Sequence, residues 1–310
     1  MNQNNTNNLD EFYLSDIAKI LWDSKNILFV ILVVSLFISF FLSSRISDTY
    51  KSVAILAPSE SSDSLTKMSS QYSGIASMAG ISFGGPSETS KVDQASEIVK
   101  SFNFFEEIIS KYEIFFQVVA ISGWKKDNNE LEIDNDIYNS KTKTWVSNSE
   151  FSSNGRPSDQ YAHRKFLKNF NLVIRKDTGI IEMSYIHYSP YIAQSILSTI
   201  IYEVNEKTRI DDIKQAELSI GFLENEISKT QLDEVKTELF KLIQKQIQTI
   251  MIANSNSEYT FKILSKPSSP EIKVGPNRIL IFLMTAIFNL LVGSAIILYM
   301  NKKSLFTNKR

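Results

Sequence analysis

The sequence predicts an α+β domain, a mixed membrane-proximal sheet carrying long extended helices, held between two transmembrane helices. Three observations predict it. An uninterrupted apolar run lies near each end of the chain. Four short segments between them carry strand-like apolar patterns. A long stretch of helical periodicity precedes the last of those four.

The first run, Ile27 to Leu42 and extendable to Ser44, contains no charge and is bracketed by Lys25 and Arg45. The second, Ile279 to Met300, has Asn289 as its one strongly polar residue and is bracketed by Arg278 and Lys302. A bilayer core about 30 Å thick needs roughly 17 to 25 apolar residues in a helix; the second run fits well and the first is at the short end. A cleaved signal peptide fits the first run poorly. The segment before it is long and acidic (Asp10, Glu11, Asp16, Asp23), and no small-residue cleavage site follows. Lys19, Lys25, Lys302, Lys303, Lys309 and Arg310 flank the runs on their outer sides, which places both termini in the cytoplasm. The expected organisation is a cytoplasmic segment 1–26, a span 27–44, a domain 45–278 on the far side (the periplasm if the cell is Gram-negative), a span 279–300 and a cytoplasmic tail 301–310.

The elements follow in order. Residues 1–8 are Asn-rich and expected to be disordered. Leu9 to Trp22 sets Phe12, Ile17, Ile20 and Leu21 near helical spacing, with Asp10 or Ser15 as a cap. It is either an amphipathic helix at the cytoplasmic interface or an extension of the first span. Tyr50 to Leu56 (YKSVAIL) alternates in part and stops at Pro58, as a strand does. Ser73 to Gly85 (SGIASMAGISFGG) holds four of the ten glycines. It lacks GK[ST] and a strand directly before it, so it is a mobile or closely packed loop rather than a phosphate cradle. Val92 to Ser110 has helical spacing at Ile98, Phe102, Phe105 and Ile109, and Ile114 to Val119 is a further apolar run. Ser122 to Arg156 is polar, with Trp124 and Trp145 as isolated anchors and no assignable elements.

Asn171 to Tyr188 forms a hairpin of two strands, Asn171 to Arg175 and Ile180 to Tyr188, around a Gly-containing turn, and Pro190 suits the first turn of a helix. Ile192, Ile196, Ile200 and Val204 line one helical face. Ala216, Ile220, Leu223 and Ile227 follow, then Leu232, Val235, Leu239 and Leu242. The step of five from Ile227 to Leu232 breaks the phase. A reversal near Ser228 to Gln231 is therefore expected, because the chain must return by Tyr259 to Leu264, the last strand. All four strands are expected in one sheet. Pro267, Pro270 and Pro276 then make a stiff segment before the second span, either an ordinary linker or a collar fixing the angle of the span.

Composition excludes several chemistries. With no Cys there is no disulfide, thiolate nucleophile or zinc-thiolate site. His163 and His187 are the two histidines, and neither sits in a ligand pattern such as HExxH. Each is expected to be a satisfied surface or sheet residue. Glu224, Glu226, Asp233, Glu234 and Glu238 alternate with lysines as a solvated helix face does. A net charge of -1 argues against nucleic acid as a partner. No catalytic residue, cofactor or metal is expected. A membrane-anchored glycan hydrolase is the enzyme alternative, and it needs paired acids in a cleft. A sensor would need an output domain after residue 300, and a P-loop kinase would need GxxxxGK[ST]; the sequence has neither.

The sequence resembles the Wzz-type chain length determinants, the polysaccharide co-polymerases, along nearly its whole length. The resemblance rests on LSDIAKILWDSK leading into the first run, YKSVAILAP after it, SGIASMAGI, RKDTGIIEMSYIHYSP leading to a helix, and LIQKQIQTIMIANSNSEYTFKILSKPSSP before the second run. Their order and spacing to both runs carry it. Glu271 to Gly275 lacks the regular prolines common in that family. The resemblance implies a non-enzymatic protein of the bacterial inner membrane. It would form ring-shaped homo-oligomers and act with a separate Wzy-type polymerase on a lipid-linked glycan to set the modal length of O-antigen or a related polysaccharide. A subunit for capsule or exopolysaccharide export, working with a separate kinase, is the alternative. Phe222, Phe240 and Ile243 lie off the helical stripes, as interface residues would. Gly293, Ser294 and Ala295 offer a small-residue patch for close helix approach. Asn289 could bond to a neighbouring copy, to the polymerase or within its own chain.

Overall fold

Apolar length sets the first element, α1 (Lys25–Arg45). At 1.5 Å per residue it is about 31 Å long. The computed structural model describes residues 22–59, 91–146, 152–153, 155–175 and 177–300. Residues 9–21 of the segment before the first span, the glycine-rich loop 73–85 and the basic tail therefore lie outside the described residues. Two compact units result, Met1–Ser47 with Gly275–Arg310, and Asp48–Val274.

The second unit begins with β1 (Tyr50–Pro58), whose alternate residues Ser52, Ala54 and Leu56 are fully buried. Next come α2 (Lys91–Lys100) and α3 (Phe102–Tyr112) where the sequence predicts one helix. Ser101 breaks it. Its backbone is extended (φ -70, ψ 148) and its hydroxyl accepts from the Phe104 N–H at 3.3 Å, as an N-cap does. The inward residues are Val99, Phe104, Phe105, Ile108 and Ile109, so Phe105 and Ile109 of the expected stripe are buried while Ile98 and Phe102, on either side of the break, are half-buried. A short helix, α4 (Phe115–Val119), follows.

The polar stretch that the sequence leaves unassigned folds as small ladders: β2 (Ile121–Lys125) with β3 (Glu130–Ile133), β4 (Tyr138–Asn139) with β5 (Thr144–Trp145), and β6 (Ser152–Ser153) with β7 (Arg156–Pro157). Its tryptophans are not isolated. Trp145 packs edge-on against Phe115 and Tyr138, and Trp124 against Tyr50. Ser158 then caps α5 (Asp159–Asn169), a helix the sequence reading passed over.

The predicted hairpin is β8 (Phe170–Ile174) and β9 (Ile181–His187), closed by Gly179 at φ 68. Pro190 opens α6 (Pro190–Lys229). After an interruption at residues 230–232, α7 (Asp233–Ser255) runs back along it. Asn254 sits beside Arg209, and Ile252 and Ala253 pack with Ile213, so the reversal falls where the phase break predicts. Last come β10 (Phe261–Ser265) and, in the first unit, α8 (Arg278–Met300).

The four predicted strands share one sheet in the order β10-β1-β9-β8. Every neighbour pair is antiparallel, with Tyr50 opposite His187 and Phe170 opposite Tyr185, so the sheet is not mixed. The reason is topological. The helical crossover makes β9 and β10 parallel, but β1 lies between them and opposes both. One face buries Ala54, Leu56, Ile181, Met183 and Tyr185 against Ile196, Leu197, Ile200, Ile201 and Val204 of α6 and against Phe104, Phe105 and Phe166. The opposite face carries the partly exposed ion pairs of Glu182 with Lys51 and Arg175.

Candidate functional site

Beyond the sheet the long helices run against each other. Asn205 is the last buried residue of the α6 segment that covers the sheet. Its Oδ1 accepts from the Thr260 and Phe261 N–H groups at 2.9 and 2.8 Å, and its Nδ2 donates to the Phe261 carbonyl at 3.1 Å. Thr208 meets Thr260 at 2.7 Å. Tyr259 donates to Asp212, which also pairs with Lys91; burial and then that carboxylate push the Tyr259 hydroxyl pKa up. These bonds fix where α7 returns to the sheet.

Past that foot, α6 from residue 206 to 229 and α7 form a two-helix hairpin about 35 Å long. Ala216, Leu223, Leu239 and Ala253 are its buried seam. Leu218, Phe222, Leu232, Phe240, Ile247 and Met251 are 45 to 66% exposed. The sequence flagged Phe222 and Phe240 as off the stripes, and both lie on this surface; Ile243 is half-buried. The acids Asp233 and Glu238 pair with Lys236 and Lys241 on the solvent side.

In the first unit α1 and α8 pack antiparallel. Ser39 meets Thr285 at 3.0 Å, Phe40 stacks on Phe282, and Gly293 faces Leu28 and Ile31, where an added Cβ would lie 3.4 Å from both. On α1 the buried residues include Ser35, Ser39 and Ser43, spaced by four. That serine stripe is a signal sequence reading missed. On α8 the facing row is Thr285, Asn289, Gly293 and Ile297, also spaced by four and hence on one helical face. Asn289 donates to the Thr285 carbonyl of its own helix at 2.8 Å, Ser294 to the Leu291 carbonyl, and Ala295 is exposed. Of the three adjacent small residues, Gly293 alone is buried on this seam.

Pro267 is buried, and its carbonyl accepts from Gln194 of α6 at 3.0 Å. The Ser268 carbonyl accepts from Ser52 of β1 at 2.8 Å, and Val274 donates to Thr49 at 2.8 Å. Pro270 is half-buried between these anchors, and Pro276 follows a cis peptide bond in the first unit. The segment up to Val274 is thus tied at three points, to α6, to β1 and to Thr49 just before β1.

A cleft of about 430 Å³ opens between α5 and the ends of β1 and β9. Its polar lining includes Arg164, Lys165, Lys168 and Asn169, with Val118, Ile121 and Ile186 as apolar wall. Lys165 donates to the Val119 carbonyl at 2.9 Å, and burial pushes its pKa down. His187 is 5% exposed. It donates from Nε2 to the Gln117 carbonyl and accepts at Nδ1 from the Ser189 N–H, each at 3.0 Å. Burial pushes its pKa down to about 4, so it is neutral at pH 7. His163 lies between Phe102 and Phe105 and bonds to the Lys100 carbonyl. Both histidines are satisfied.

Residues 10–112 match the family model described as Wzz, chain length determinant protein. No curated protein matches the chain. Among solved structures, one titled "full-length bacterial polysaccharide co-polymerase" is 14% identical with a TM-score of 0.38, covering 96% of this chain and 100% of its own. A fragment of WzzB, a polysaccharide co-polymerase from Salmonella Typhimurium, is 13% identical with a TM-score of 0.28, covering 74% and 100%.

Proposed function

From a chain that is similar to the Wzz chain length determinants, with residues 10–112 matching their family model, we propose a membrane-anchored regulator of polysaccharide chain length. It has no catalytic centre of its own. It sets the modal length of O-antigen or a related surface glycan together with a Wzy-type polymerase acting on lipid-linked glycan. In this reading α1 and α8 cross the bacterial inner membrane. Their lengths, about 31 and 35 Å, suit a core of about 30 Å. Their outward surfaces are apolar all round, with Phe29, Phe37, Phe288 and Leu291 more than 60% exposed. An antiparallel pair returns the chain to the side it left, which supports cytoplasmic termini and a periplasmic domain 45–278.

The observation that carries the assembly is the exposed apolar surface of the α6–α7 hairpin. Large apolar residues on a soluble surface mark an interface, and a ring of copies would cover them. The α8 face away from α1 is then available to the polymerase or a neighbouring copy, whereas Asn289 lies on the row that faces α1 and bonds within its own helix. The test is to replace the chromosomal gene with one encoding Phe222→Asp and Phe240→Asp and to resolve the surface glycan on a gel. Polymer should still be made at normal protein level, but its modal band should spread. Unchanged banding would sink the reading, and a changed capsule with unchanged O-antigen would redirect it to export.

A further inference from the structure

Helix α5 is short and strongly polar, yet part of its polar surface is turned toward protein. Tyr161, Arg164, Lys165 and Lys168 are spaced i, i+3, i+4 and i+7, which is one helical face. That face forms one side of the cleft described above, while Ala162 and Phe166 hold the helix on the core. The other side comes from Thr49, His187 and Tyr188 at the ends of β1 and β9. Three cations thus line a cavity whose wall contains no carboxylate. Asp134 attracts Lys165 from outside that wall, and Lys168 repels it. His187 is neutral and adds no charge.

We propose that this cleft binds a phosphate monoester or pyrophosphate group, carried by a bilayer lipid or free in solution. An oxyanion with several acceptor oxygens can take Arg164 in a forked contact, two ammonium groups, and the neutral donors of Asn169 and Tyr188. The half-buried Lys165 is held partly desolvated with its bond to the Val119 carbonyl, and an incoming anion would bring a negative charge nearer to it than the wall of the cleft does. The volume suits a headgroup-sized ligand. A lipid source is reasonable because only three residues of chain, Ile46 to Asp48, lie between Arg45, the last residue of α1, and Thr49.

The test uses the full chain. Calorimetric titration in neutral detergent with sodium pyrophosphate should give saturable binding. Arg164→Gln with Lys168→Gln should weaken it at least tenfold, and Lys241→Gln on α7 should leave it unchanged. Arg164 and Lys168 are both exposed, so the double variant should keep its unfolding midpoint, which is measured alongside. The titration is repeated in phosphatidylcholine nanodiscs with and without phosphatidic acid. Loss of pyrophosphate binding only with phosphatidic acid assigns a lipid carrier, and retained binding assigns a soluble phosphate; either supports the proposal. Absence of saturable binding, equal affinity in the double variant, or binding of polygalacturonate without any of pyrophosphate would overturn it. None of these outcomes depends on chain length control, which the glycan gel tests separately.

Discussion

Asn205→Ala should loosen the return of the helical hairpin more than any other single truncation in α6. The side chain is 4% exposed and serves three backbone groups of residues 260 and 261, which are themselves fully buried. Alanine leaves two N–H donors and one carbonyl without partners. A buried polar group left unsatisfied costs about 1–3 kcal/mol. Three of them, with some relaxation and water entry, amount to roughly 3–5 kcal/mol. The lower figure corresponds to more than a hundredfold in an opening equilibrium. Hydrogen exchange of the full chain, read on peptides covering residues 256–265, measures that opening directly. Exchange at Thr260 and Phe261 should accelerate at least a hundredfold, with little change in α1 and α8. Asn205→Asp is the discriminating companion. It keeps both accepting bonds and, once protonated, can donate to the Phe261 carbonyl, so its protection should recover as pH falls. Less than tenfold acceleration in Asn205→Ala would show that the carboxamide network is not what fastens the hairpin.

His187 should make the domain sensitive to acid. Its folded pKa, near 4, lies below the ordinary 6.5, so the stability it contributes is present above pH 6.5 and is lost as pH falls toward 4. Between pH 7 and 5 the loss is about 2 kcal/mol, measurable by urea unfolding, and His187→Gln should flatten that slope. Gly293→Leu should push α1 and α8 apart, since even a Cβ there touches Leu28 and Ile31. The native chain has no cysteine, so Ser39→Cys with Thr285→Cys gives a clean intramolecular crosslink whose yield should drop several-fold when Gly293→Leu is added. An undiminished yield would count against the seam.

The parts of this fold that were legible in sequence have dense local signals. Apolar length shows α1 and α8, the Gly179 turn shows the β8–β9 hairpin, and the five-residue step at Ile227 to Leu232 marks the reversal between α6 and α7. The parts that were not legible depend on distant partners or sparse patterns. Helix α5 buries only Ala162 and Phe166, too few anchors for a clear period, although Ser158 after Pro157 was a usable cap signal. Ser101 interrupts a strong apolar period with a capping bond that periodicity cannot see. The antiparallel pairing of β9 and β10 with β1 depends on β1 inserting between two strands more than a hundred residues later. The cations of the cleft are adjacent in sequence, but its opposite wall comes from Thr49 and residues 186–188. The serine stripe of α1 was readable at its spacing of four, yet its purpose depends on Thr285 in the other helix.

The exposed hairpin residues are a geometric necessity, and they bear on how an assembly would form. Two helices alone share one seam, so any further apolar side chain must face outward. Full burial of a Leu, Phe or Met side chain is worth about 1.5–3 kcal/mol. Six residues already about half covered would therefore gain roughly 5–9 kcal/mol together. Association costs about 4–15 kcal/mol in lost freedom, so one such contact between two copies is marginal. A closed ring has one more contact than an open chain of equal number, and the closing contact costs no further translational freedom. Marginal pairwise contacts with favourable closure give cooperative assembly, in which complete rings and monomers dominate over partial arcs. Native mass measurement across a dilution series in mild detergent should show those two populations, and a continuous ladder of small oligomers would contradict the argument.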